Sequence, residues 1–157
     1  MADRIWTVEG TGANPIVAVA IHNGHSMREE LAALCAVSES DRLREEDPYT
    51  HRWTQVAATR VVGLRARFEV DLNRPRDGSV YIGPEDAWGM QVWKERPGAA
   101  ILARSLAEHD AFYQEMERIL RDVVNTSVGS LSLTCTPTTT AALDRTVPRP
   151  ILRKIPK

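Results

Sequence analysis

Two histidines three residues apart, His22 and His25, follow an apolar run, Ile16-Val17-Ala18-Val19-Ala20-Ile21, with Gly24 between them. Neutral imidazole is a common metal ligand, and a catalytic zinc usually has three protein ligands plus water. At this spacing both rings can face one cation, or can form a turn with two hydrogen-bonded histidines. The acidic Glu45-Glu46-Asp47 offers an oxygen ligand, or a solvated loop. In Asp71-Leu72-Asn73-Arg74, an amide and a planar guanidinium stand side by side, which suits bidentate recognition of a substrate carboxylate. Arg67, seven residues earlier, is placed to polarise a scissile carbonyl as oxyanion charge develops. A surface ion pair is the alternative for either arginine.

These residues need elements to carry them. Trp6 and Val8, followed by the Gly10, Gly12, Asn14, Pro15 cluster, suggest a short strand and a turn. The run Ile16–Ile21 suits a strand buried on both faces, as in a parallel sheet, and strand carboxyl ends are where open α/β sheets bind ligands. Ser26 with Glu29 has the pattern of a capping box for a helix through about Val37. Residues 38–50 read as a polar loop with one helical turn, 50–58 as a short helix, and 60–62 as a strand. Arg67-Phe68-Glu69-Val70-Asp71-Leu72 alternates polar and apolar, the pattern of a half-buried strand. The Pro- and Gly-rich stretch 75–98 is long for a structureless loop, and such loops are often functional. Its Trp88 and Trp93 either pack on the core or form a partner-binding surface. A helical pattern then runs from Ala99 to about Val124.

The chain has 157 residues, 43% hydrophobic and 26% charged, a globular composition that fits one domain. The net charge of −1 gives no electrostatic footprint for nucleic acid or anionic lipid. No stretch approaches about 20 apolar residues, and none follows Met1-Ala2-Asp3-Arg4 as a signal peptide would, so a cytoplasmic location is expected. Cys35 and Cys135 lie too far apart to form a metal-type pair.

Taken together, the Pro15–Ile21 strand with His22-Asn23-Gly24-His25, the Glu46-Asp47-Pro48 motif, and Arg67 through Pro75 resemble the N-formylglutamate amidohydrolase family, over about residues 4–125. The resemblance implies an α/β fold, a three-layer sandwich with a mixed central sheet. It implies zinc-dependent hydrolysis of the amide C–N bond of N-formyl-L-glutamate or a related N-acyl amino acid. By it, His22, His25 and Glu46 are the metal ligands, Asn73 and Arg74 clamp the substrate carboxylate, and Arg67 is the catalytic, carbonyl-polarising residue. Zinc would lower the pKa of its bound water towards about 7. A non-catalytic amino-acid-binding or regulatory module of the same fold is the alternative.

The chain also departs from the family. His51 stands where the family carries an Asp, and members are much longer. After the long helix they carry an Asp-Leu-His strand end that completes the metal site, and a catalytic carboxylate follows. This chain has neither, so the fold is expected to be incomplete at its C-terminal side, with little or no activity and self-association through the incomplete face. Residues 126–157 read as an atypical, poorly ordered tail, with no helical period over Leu131–Ala142. Read one base earlier, the codons of Thr134–Ala142 permit Asp-Leu-His-Thr-Tyr-Asn-His-Arg-Arg, and a frameshift near Asn125–Thr126 is the corresponding hypothesis. A nucleotide sequence whose alternative frame holds no His codon there sinks it.

Overall fold

A computed structural model describes residues 5–10 and 14–132, with side chains through 126. Three strands form one mixed sheet: β1 (Trp6–Glu9), β2 (Val17–Ala20) and β3 (Thr59–Gly63). β3 lies in the middle, antiparallel to β1 with Val8 opposite Val61, and parallel to β2 with Val19 opposite Val61. A parallel pair needs a long crossover. Here α1 (Glu29–Leu34), α2 (Glu39–Glu45) and a 3-10 helix over Thr50–Val56 supply it. The expectation that β2 is buried on both faces does not hold among the described residues. β2 lies at the sheet edge with a neighbour on one side, and Ile16 is 55% and Val19 39% exposed.

The tip after β2 is held against the sheet by backbone contacts. The Ser26 N–H donates to Leu64 O (3.1 Å) and the Ala66 N–H to Ser26 O (2.8 Å), so pairing resumes past the turn. Gly24 makes that approach feasible, since a Cβ there would lie 2.0 Å from the Leu64 carbonyl carbon. The expected Ser26–Glu29 capping box does not form. Ser26 Oγ donates to Leu64 O (2.7 Å), and α1 starts at Glu29 after an Arg28 N-cap without a side-chain cap. The hydroxyl bonds the Leu64 carbonyl on β3's extension and does not serve the helix. α2 is longer than the single expected turn. It is capped by Ser38, whose Oγ accepts the Asp41 N–H (3.1 Å), and it ends on the extended backbone of Glu46.

Residues 67–72 are not the expected strand. The Glu69 and Val70 N–H groups both donate to Ala66 O, making a turn. The alternation misleads because polar and apolar residues are buried alike, from Phe68 through Leu72. The turn is wedged between two cores. Phe68 packs with Leu31, Tyr81, Ala87, Val92 and Trp93, while Val70 and Leu72 pack with Val61, Phe112 and Ile119. Phe112 and Ile119 belong to α3 (Ala99–Ser132). Its buried Ser105, His109, Phe112, Ile119 and Val123 recur at helical spacing; Ser105 and His109 meet Arg28 and the Arg74 carbonyl, while Phe112 and Ile119 pack with Val61 of the sheet. α3 runs past the expected end near Val124, through Ser132. The shifted-frame segment from Thr134 lies outside the described residues. Of the loop tryptophans, Trp93 is core and Trp88 is 60% exposed.

Candidate active site

The site grows from the Asp71 carboxylate, which closes the buried turn and is itself 1% exposed. An unpaired charge this deep would be costly, and the surrounding residues supply its partners. His22, at the tip after β2, donates from Nε2 to Asp71 Oδ1 (2.7 Å). The Asn73 N–H donates to the same oxygen (2.9 Å). Asp71 Oδ2 accepts the Tyr81 hydroxyl (2.5 Å) and Arg67 Nη2 (3.2 Å), and Arg74 Nε lies 3.4 Å away. Burial alone would raise the Asp71 pKa. The bonds from His22, Tyr81 and the Asn73 N–H outweigh it and hold the carboxyl far below the usual range.

The strand tip and the Asn73-Arg74 pair therefore converge on one carboxylate. Arg67 bridges outward from it, with Nη1 3.7 Å from Asp47 Oδ2, and its guanidinium lies 4.8 Å from the Trp88 ring centre. Arg74 donates to Asp86 O (2.6 Å) and stacks 4.5 Å from the Tyr81 ring centre. The Asn73 side chain is exposed beside it. Two guanidiniums thus share the buried Asp71 carboxylate, and Arg67 also reaches Asp47.

The second histidine faces elsewhere. His25 Nδ1 makes a short contact with Glu46 Oε2, and Arg42 Nη2 donates to His25 Nε2 (3.2 Å). His22 instead turns its Nδ1 to Asp47 Oδ2 (3.2 Å). The nitrogen and oxygen donors suit zinc chemically, and Glu46 Oε1 is buried without a hydrogen-bond partner. Yet among the described residues no three His, Cys, Asp or Glu side chains form a group able to hold a metal ion. Both His25 nitrogens are also taken, Nδ1 by Glu46 and Nε2 by Arg42. In this arrangement His22, His25 and Glu46 do not fit a closed zinc site.

Sequence reasoning quoted Asp71 but gave it no role, and it overlooked Tyr81 and Arg42. Its place beside the Asn73-Arg74 pair was the available signal for Asp71. Nothing in spacing marks Tyr81, which reaches the site from ten residues downstream.

A family model for N-formylglutamate amidohydrolase matches residues 14–147. The chain belongs to that family. The match takes in every site residue named above and runs past the boundary near 125 expected from the residues alone. No curated protein and no solved structure matches the chain. Among the described residues no helix of this amidohydrolase-family chain is long and apolar enough to cross a membrane.

Proposed function

We propose that this chain carries the site of a hydrolase for the amide C–N bond of N-formyl-L-glutamate or a related N-acyl amino acid, within a three-layer α/β sandwich, with activity impaired for want of the family's Asp-Leu-His strand end. The observation that carries the reading is the meeting of His22, Arg67 and Arg74 on Asp71. Arg74, with the exposed Asn73 amide beside it, is the clamp for a substrate carboxylate. Its guanidinium is already pinned by Asp86 O and Tyr81, so less freedom is lost on binding. Arg67 is the group that polarises the scissile carbonyl. It is mostly buried, where a charge aimed at developing oxyanion is worth more than in water. Asp71 holds the His22 ring in one orientation, as a carboxylate behind a functional histidine does.

Zinc dependence belongs to the proposal only on the donor chemistry of His22, His25 and Glu46, since their present arrangement does not fit a closed site. A non-catalytic acidic-ligand module is the second reading, favoured by the missing three-donor group among the described residues. Calorimetric titration with N-formyl-L-glutamate, with formate release followed with and without zinc, tests both. The amidohydrolase reading expects binding that Arg74→Ala weakens about 10–100-fold, the value of a charged hydrogen bond, and formate release that zinc raises. Binding without zinc uptake or formate release selects the module. No binding of N-formyl-L-glutamate overturns both.

A further inference from the structure

Tyr81 is fully buried, and the proposed chemistry gives it no part. It nevertheless touches three groups of the site in three ways. Its hydroxyl donates to Asp71 Oδ2 (2.5 Å). The same oxygen accepts the Arg67 Nε–H (3.4 Å). Its ring face carries the Arg74 guanidinium at 4.5 Å. The residue is itself fixed, since its carbonyl accepts the Trp93 indole N–H (2.7 Å) and its ring meets Phe68 edge-on at 6.0 Å.

We infer that Tyr81 is a positioning residue that sets both arginines of the site by separable means, its hydroxyl fixing Arg67 and its ring fixing Arg74. The inference rests on the amidohydrolase reading, in which Arg67 meets the amide carbonyl and Arg74 the carboxylate. Arginine side chains carry large rotamer entropy, so an arginine fixed before binding gains affinity. A cation over an aromatic face supplies such fixing for Arg74, more strongly where water is excluded. A hydroxyl that donates to one group and accepts from the other keeps Arg67 and Asp71 in register. Burial and the Asp71 charge push the Tyr81 pKa up to about 12, so the hydroxyl stays protonated through the neutral range.

The two means predict different losses for two ligands. N-formyl-L-glutamate presents an amide and carboxylates, whereas glutarate is the same dicarboxylate without the formamide. Calorimetry on the full chain should find Tyr81→Phe about 10-fold weaker for N-formyl-L-glutamate and within about 2-fold of wild type for glutarate. Tyr81→Leu, which also removes the ring, should weaken both. If Tyr81→Leu does not fold, Tyr81→Phe decides alone. A merely structural tyrosine would weaken both ligands equally in Tyr81→Phe, and that result overturns the inference. So does N-formyl-L-glutamate affinity unchanged in Tyr81→Phe. Wild-type protein that binds neither ligand defeats the amidohydrolase reading, and this inference with it, and is told apart by needing no variant.

Discussion

Two buried carboxylates stand two residues apart on one turn, and the protein treats them in opposite ways. Asp71 faces the site and is held far below the usual carboxylate range by His22, Tyr81 and the Asn73 N–H, against the cost of burial. Glu69 faces α1 and α3. Burial raises its pKa, and the backbone bond from Arg28 with the charges of Arg65 and Arg28 only partly opposes that. Arg28 bonds Glu69 through both its backbone N–H and Nε, and Arg65 ties Glu69 to Glu108 on α3. One side of the turn is thus a strut between helices, and the other is a concentration of charge that a ligand can use. The largest pKa-lowering bonds at Asp71 come from three residues, His22, Tyr81 and Asn73, and those at Glu69 from Arg28.

The sharpest break of this comparison is Asp71→Ala. It leaves His22, Arg67 and Arg74 without their shared acceptor, so we expect a loss of about 3–5 kcal/mol in denaturant unfolding and no measurable N-formyl-L-glutamate binding. Retained binding in a folded Asp71→Ala protein would remove Asp71 from the site. Glu69→Gln should cost about 3 kcal/mol, because both Glu69 oxygens accept bonds from Arg28 and the amide turns an N–H towards one of those donors beside two arginines. Ligand affinity should then stay within about 2-fold of wild type, and a larger change would mean the strut and the site are coupled.

Acid titration separates the pair by sign. The folded Asp71 pKa lies below its unfolded value of about 3.9, so its contribution is present above that pH and drains away as pH falls through the folded value. The folded Glu69 pKa is raised, so its contribution is complete below about pH 4.3 and declines as pH rises beyond it. Unfolding midpoints from pH 3 to 7 should show Asp71→Asn flattening the acid limb and Glu69→Gln flattening the other. Matching curves for both variants would contradict the assignment. The smallest expected effect on ligand affinity is Arg42→Ala, which touches neither carboxylate of the pair; it takes a cation from the buried Glu46, costs about 3–5 kcal/mol in stability, and should raise zinc uptake measured by equilibrium dialysis. Unchanged uptake would count against His25 and Glu46 as donors.

The residues that meet at Asp71 were partly legible in the sequence. A strand tip bearing His22 and a downstream Asn73-Arg74 pair could be named from residue type and spacing, as could β1, β3 and the helical stripe of α3. The turn at 67–72 could not. Its alternation is faithful as a pattern, but solvent is on neither side, because one core takes Phe68 and another takes Val70 and Leu72. Period-two reasoning assumes that polar residues seek water, and here they seek arginines and a histidine. Tyr81 and Arg42 escaped for another reason. Their roles come from loops folding back over long sequence distances, as in the Tyr81–Asp71 and Arg42–His25 contacts. The separation of His22 from His25 was equally hidden, since a three-residue spacing does not say which way a turn rotates its rings.

The bare α-carbon of residue 24 has a consequence for how the pocket responds to motion. With the chain lying flush on the backbone at Leu64, the imidazole of His22 is seated on the sheet and not on a swinging loop. A methyl group at that point would act as a wedge, prising the tip outward and separating His22 from Asp71 without altering either residue. Precision at the reacting groups is thus set by a position that carries no functional atom.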